Sequence, residues 1–195
     1  MTQIVHPNKQ KLIDRAGEFL TEVEDLTPGL ALEKYLNEHY GPGTPYYEDF
    51  CTLIRNALTH TEGWVATTEI DGPHYRRSRV SDPSADTRYF SITTVYMDSQ
   101  RQEVFRGQYH RHPYGEINCV VQIDESAELM GMSGWQGAGW TSPGPGTHHY
   151  PEARGGGWWR CSSCRRGGSR MRRGRGMRNR LVFRSPTVNE YQSIH

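Results

Sequence analysis

The chain lacks any apolar run long enough to cross a bilayer. Nowhere in its 195 residues do the roughly 18 consecutive apolar positions of a spanning helix occur. Met1 to Gln10 hold no apolar stretch of signal-peptide type, so the expectation is a cytoplasmic protein whose 4 cysteines stay reduced. No internal repeat is present. Cys161 and Cys164 have no second close-spaced pair to complete a zinc site, since Cys51 and Cys119 lie far upstream. Hydrophobic residues at 34% and charged residues at 23% suit one globular domain with a helical extension.

Acidic residues are nearly missing from one end. Residues 158–195 carry 10 Arg and one Glu, whereas residues 1–157 carry 13 Lys+Arg against 21 Asp+Glu. A basic end of this kind ordinarily signals nucleic acid or a solvated tail. Its Trp, Arg, Gly and Cys share G-rich codons, which points instead to a GC-rich gene read out of frame. Starting each codon one nucleotide earlier permits Val-Val-Ala-Leu-Phe-Phe-Leu-Pro-Ala-Gly-Arg-Ile from Gly157 onward, an apolar strand and a turn. Residues 157–195 are therefore expected to be a disordered basic tail with no nucleic-acid partner, begun by a lost nucleotide near Gly155–Gly157.

Residues 1–62 read as helical. Leu12, Ile13, Ala16, Phe19, Leu20 and Val23 recur at three-and-four spacing. A second helix begins near Leu30, and a third runs from Tyr46 to about Leu58. Residues 63–156 read as strands: Trp64–Ile70, Tyr75–Val80, Tyr89–Met97, Glu103–His110, Glu116–Ile123 and Thr147–Tyr150. Clusters such as Asp71-Gly72-Pro73 separate them. The fold class expected is mainly β, an antiparallel barrel or jelly roll behind a helical segment.

Chemistry concentrates in Phe105-Arg106-Gly107-Gln108-Tyr109-His110-Arg111-His112-Pro113-Tyr114-Gly115-Glu116. Residues two apart on a strand share a face, so Arg106, Gln108, His110 and His112 project together. Pro113 and Gly115 turn the chain and let Glu116 return to the same cavity. Two imidazoles and a carboxylate converging in this way suit Zn, Fe, Mn or Ni. Downstream, His148 and His149 are neighbours and face opposite ways, so one of them at most completes the site. The bland alternative is a set of surface or hydrogen-bonded histidines beside an ordinary turn.

These segments resemble the two motifs of the cupin superfamily. His110, His112 and Glu116 match the first in spacing, and Gly146-Thr147-His148-His149 matches the second and selects His149. Departures exist: the glycines flanking the first motif are displaced, and no Asn follows the last His. The resemblance implies a cupin-like barrel holding one divalent metal, Fe, Mn or Zn, through His110, His112, Glu116 and His149.

The wording of the first segment, with Gly137-Ala138-Gly139-Trp140-Thr141 and His148-His149-Tyr150-Pro151-Glu152, is similar to the 4-hydroxylaminobenzoate lyases of nitrobenzoate degradation. That likeness implies conversion of 4-hydroxylaminobenzoate to 3,4-dihydroxybenzoate (protocatechuate) with release of ammonia. A small aromatic carboxylate is then the partner, no membrane is involved, and a homodimer is a possible assembly. Glu116, Tyr114 and His148 are the groups available to carry protons. Arg106 should grip the substrate carboxylate as a fork, with Arg76, Arg77 and Arg79 as further candidates. Gln108 faces the same cavity. Among the aromatics Tyr96, Tyr109, Trp135 and Trp140, Trp140 is the one assigned to the substrate ring, though a core role is as reasonable for each. The other functions considered are a cupin oxygenase using Fe(II) and O2 on an aromatic or thiol substrate, and a non-catalytic small-ligand binder.

Overall fold

The computed structural model describes residues 5–60, 62–99 and 103–155, together with the backbone of 157–162 and 181–185. Three helices come first: α1 (Pro7–Val23), α2 (Leu30–Tyr40) and α3 (Pro45–Thr59). α1 starts at a proline, which loses nothing at the first helical position, and the His6 ring accepts from the Asn8 N–H at 3.2 Å. Its buried face holds Leu12, Ala16, Phe19, Leu20 and Val23, the stripe read in the sequence. α3 likewise opens on Pro45, after Thr44.

The remainder is mainly β. The strands are β1 (Thr68–Glu69), β2 (Tyr75–Ser81), β3 (Ile92–Asp98), β4 (Phe105–Arg106), β5 (His110–Arg111), β6 (Ile117–Gln122), β7 (Glu128–Gly131), β8 (Gly134–Gln136), β9 (Gly139–Thr141), β10 (His148–His149), β11 (Glu152–Arg154), β12 (Gly157–Ser162) and β13 (Leu181–Ser185). They form a seven-stranded sheet in the order β1-β2-β3-β12-β13-β6-β9, a four-stranded sheet β4-β11-β7-β8, and the pair β10-β5. Pairing is antiparallel except at β13, which runs parallel to β3 and β6. β12 lies antiparallel to β3 and β6. Residues 163–180 and 186–195, most of the stretch expected to be out of frame, lie outside the described residues.

The expected closed barrel is not what the described strands make: they stay in three separate sheets. One break explains much of this. The strand expected over 103–110 stops after Arg106, where the Gly107 N–H donates to the Pro151 carbonyl at 2.8 Å. A Cβ at Gly107 would meet Pro151 and Tyr75 at 3.0 and 3.1 Å. The chain therefore changes partner, from β11 before the break to β10 after it. β3 begins later than expected because Arg88 and Tyr89 sit at φ of 50° and 60°, outside strand geometry. The hairpin β7–β8 and the strand β9 went unread, since glycine-rich 131–139 resembles a loop.

Helices and sheet share one apolar core. Phe19, Leu36, Phe50 and Ile54 pack with Ile92, Ile117, Val121 and Trp140 in a single cluster. The change at residue 62 is thus a change of secondary structure within one core. A second cluster, with Tyr75, Val95, Met97, Val120 and Leu129, fills the other face of the large sheet. Among the described residues no helix is long and apolar enough to cross a membrane.

Candidate metal centre

The site grows from a two-residue ladder. β5 and β10 pair so that His149 stands opposite His110, and His148 opposite Arg111. Directly opposed residues share a face, so His110 and His149 lie together, and His112, two residues on, joins them. The His112 N–H donates to the Thr147 carbonyl, and the Gly146 N–H to the His112 carbonyl, both at 2.8 Å. These bonds hold His112 at the end of the ladder. Ring centroids lie 4.6 Å apart for His110–His112, 4.8 Å for His110–His149 and 5.1 Å for His112–His149.

A donor nitrogen from each ring lies within 4.8 Å of the other two. Small side-chain rotations bring such a trio to the ~2.0–2.1 Å bonds an imidazole makes to a divalent ion. Three imidazoles on one ledge, His112 buried and His110 and His149 half-buried, are a fitting donor set for Zn, Fe or Mn. His149 is the member of the adjacent pair that stands with His110 and His112. His148 is exposed on the opposite side of the ladder, its ring 5.5 Å from that of Tyr109.

Glu116 comes back as the motif implied, but to another atom. Its Oε1 stands 2.8 Å from Nδ1 of His112, with both side chains at most 1% exposed, and the three-nitrogen group does not include it. Contact at Nδ1 leaves Nε2 as the His112 atom to offer an ion, with the carboxylate setting the ring's orientation from behind. The turn that returns Glu116 runs through Gly115 at φ +80°, where a Cβ would strike Pro28 at 2.6 Å. Only glycine suits both the angle and the space.

The backbone around Glu116 is held by residues the sequence reading passed over. The Glu116 N–H donates to the Pro143 carbonyl at 2.9 Å, and the Ser142 hydroxyl donates to the Glu116 carbonyl at 2.9 Å. Ser142 N–H in turn donates to the buried Glu33 carboxylate at 2.8 Å, which also accepts from the Ser133 hydroxyl at 2.5 Å. The available signal was a charge on the apolar stripe of α2, between Leu32 and Leu36, where a buried carboxylate needs partners.

Other site expectations meet the structure unevenly. Gln108 and Tyr109 line a cavity of about 170 Å³ that also takes in His110. Arg106 is 65% exposed, and its guanidinium donates to Glu152 at 2.6 Å, so its fork is already engaged. Tyr114 is exposed. Trp140 is corrected outright: it is 0% exposed and stacks on Phe19 at 4.8 Å. Its indole N–H is given to the Tyr40 carbonyl at 2.6 Å, so no face is left for a substrate. Tyr96 is buried beneath Arg76, and Trp135 lies under Arg154. Cys51 is buried and its thiol is pushed up to about 12 by that burial, which rules it out as a nucleophile near neutral pH.

A mainly β protein with a ledge of three histidines beside a small polar cavity is the class that fold and site define. Comparison with known proteins narrows it: a family model described as PnbB, 4-hydroxylaminobenzoate lyase, matches residues 14–176. A 4-hydroxylaminobenzoate lyase of Nocardioides sp. (strain LMS-CY) is 54% identical over 147 residues, covering 75% of this chain and 85% of that protein. One of Pseudomonas putida is 51% identical over 154 residues, covering 76% and 86%. No solved structure matches. The chain belongs to the 4-hydroxylaminobenzoate lyase family.

Proposed function

We propose that the protein is a 4-hydroxylaminobenzoate lyase, forming 3,4-dihydroxybenzoate and ammonia from 4-hydroxylaminobenzoate and water. The reaction is redox-neutral, and cleavage of the weak N–O bond drives it. The carrying observation is a three-histidine group, one member of which, His110, lines a cavity of about 170 Å³, in a chain about half identical to proteins bearing that name. This volume is below the ~300–1,000 Å³ of sites for drug-sized ligands and suits one small ring. The scaffold is read as a cupin-type fold, and the setting as nitroaromatic catabolism in the cytoplasm.

His110, His112 and His149 would hold one divalent ion, with Glu116 fixing the His112 ring rather than serving as fourth ligand. Such an ion supplies Lewis acidity at an oxygen and lowers the pKa of bound water. The chain's own part is to orient the ring: Gln108 and Tyr109 flank His110 in the cavity, and Tyr109 offers a half-exposed aromatic face and a hydroxyl. His148, its ring 5.5 Å from that of Tyr109, would be the imidazole to exchange protons between that ring and solvent.

The test is anaerobic ammonia release from 4-hydroxylaminobenzoate by purified protein, with metal analysis of the same sample. Stoichiometric ammonia and 3,4-dihydroxybenzoate without O2 are expected. Dependence on O2 would favour an oxygenase, and binding without turnover a ligand carrier.

A further inference from the structure

We infer that Arg77 forms the subsite for the substrate's carboxylate, which makes it a specificity-determining residue. The inference rests on the lyase reading and adds to it the residue that selects an anionic ring. Arg77 lines the cavity that His110 also lines.

Strand parity distinguishes the three arginines of β2. Arg77 is registered opposite Val95, and Tyr75 opposite Met97, so Tyr75 and Arg77 stand on the face of the second apolar cluster. Arg76 points the other way, its guanidinium 5.0 Å above the Tyr96 ring. Arg79 shares the face of Arg77 but reaches Asp82 at 3.6 Å.

Charge pairing singles out the same residue. Arg15 is bonded to Glu18 and Asp49, Arg106 to Glu152, and Arg154 to Glu128. Arg55 donates to the Gln122 carbonyl and Arg88 to the Thr21 hydroxyl. Among the described residues Arg77 and Arg111 make no ion pair, in a part of the chain with an acidic excess. A guanidinium with no carboxylate partner among the described residues, at the edge of a cavity, favours an anion there.

The rest of the lining fits what such an anion would carry. Ile70, Tyr75 and Val95 give the cavity an apolar wall, suited to the face of an aromatic ring. His110, one of the three grouped histidines, lines the same cavity. A ring with its carboxylate at Arg77 would turn its opposite substituent toward the histidines, as a para-substituted benzoate requires.

The probes are 4-hydroxybenzoate and phenol, which share a ring and hydroxyl and differ in the carboxylate. Binding to the parent, Arg77→Gln, Arg77→Lys and Arg79→Gln proteins is measured by calorimetry, with metal content and melting temperature recorded. The parent should prefer 4-hydroxybenzoate. Arg77→Gln should weaken that binding on the order of 10-fold or more, as expected for a lost charged hydrogen bond. Phenol binding, metal content and melting should stay unchanged, and Arg77→Lys should recover only part of the loss. Arg79→Gln should match the parent. Equal binding of 4-hydroxybenzoate by parent and Arg77→Gln overturns the subsite, as does a parent that does not bind it. The lyase reading fails separately, if the parent binds 4-hydroxybenzoate through Arg77 yet releases no ammonia from 4-hydroxylaminobenzoate.

Discussion

Replacing Trp140 with alanine separates a core residue from a substrate platform. The indole is 0% exposed and packs on Phe19 at 4.8 Å, with Phe50 and Tyr47 at 6.3 and 6.4 Å. Its N–H satisfies the Tyr40 carbonyl. Truncation removes this packing and opens a cavity between helices and sheet, a change that costs about 3–5 kcal/mol. At roughly 2–4 °C per kcal/mol for a chain of this size, the melting temperature should fall by ~6–20 °C. Trp140→Phe keeps part of the ring and loses the N–H, so a smaller drop is expected, dominated by the stranded carbonyl at about 1–3 kcal/mol. Thermal denaturation followed by circular dichroism measures both, and KM for 4-hydroxylaminobenzoate is taken well below the lowered melting point. KM should match the parent. A raised KM with an unchanged melting temperature in Trp140→Phe would refute the core assignment and restore the substrate role.

His112→Ala should lose most bound metal and most ammonia release, and full metal occupancy by plasma mass spectrometry would remove His112 from the ligand set. Glu33→Gln should lower stability by about 1 kcal/mol in urea titration, because the amide oxygen can still take the Ser142 N–H and the Ser133 hydroxyl can reverse to accept from the amide, but both bonds lose their charge assistance; an unchanged midpoint would show that the charge of this clamp contributes nothing. Arg106→Lys should alter stability by at most ~1 kcal/mol, its pair being exposed, and leave KM unaltered, whereas a large rise in KM would return the carboxylate clamp to Arg106. Resequencing the source DNA should reveal one missing nucleotide near the codons for Gly155–Gly157, and an intact frame would make residues 157–195 a native part of the protein.

Helices were legible because their stripes are local: Leu12 to Val23 recur at helical spacing whatever packs above them. The histidine pair His110 and His112 was legible for the same reason, through strand parity alone. β7, β8 and β9 were not, because short glycine-rich strands owe their pairing to neighbours rather than to composition. Nor was the break at Gly107, which exists because Pro151 passes close by.

The sequence by itself determined which residues carry chemistry: two histidines at spacing two, a glutamate four residues on, a later histidine pair, and a set of arginines. Only the tertiary structure decided what each of them meets. It set His149, the histidine the second motif had already selected, beside His110 through the β5–β10 register and placed Glu116 at Nδ1 of His112. It occupied Arg106 with Glu152 while leaving Arg77 open at the cavity, and it buried Trp140 under α1. Each of these outcomes depends on what lies across from a side chain in space. Local spacing dictates the face from which a residue projects, and long-range pairing dictates what it meets there.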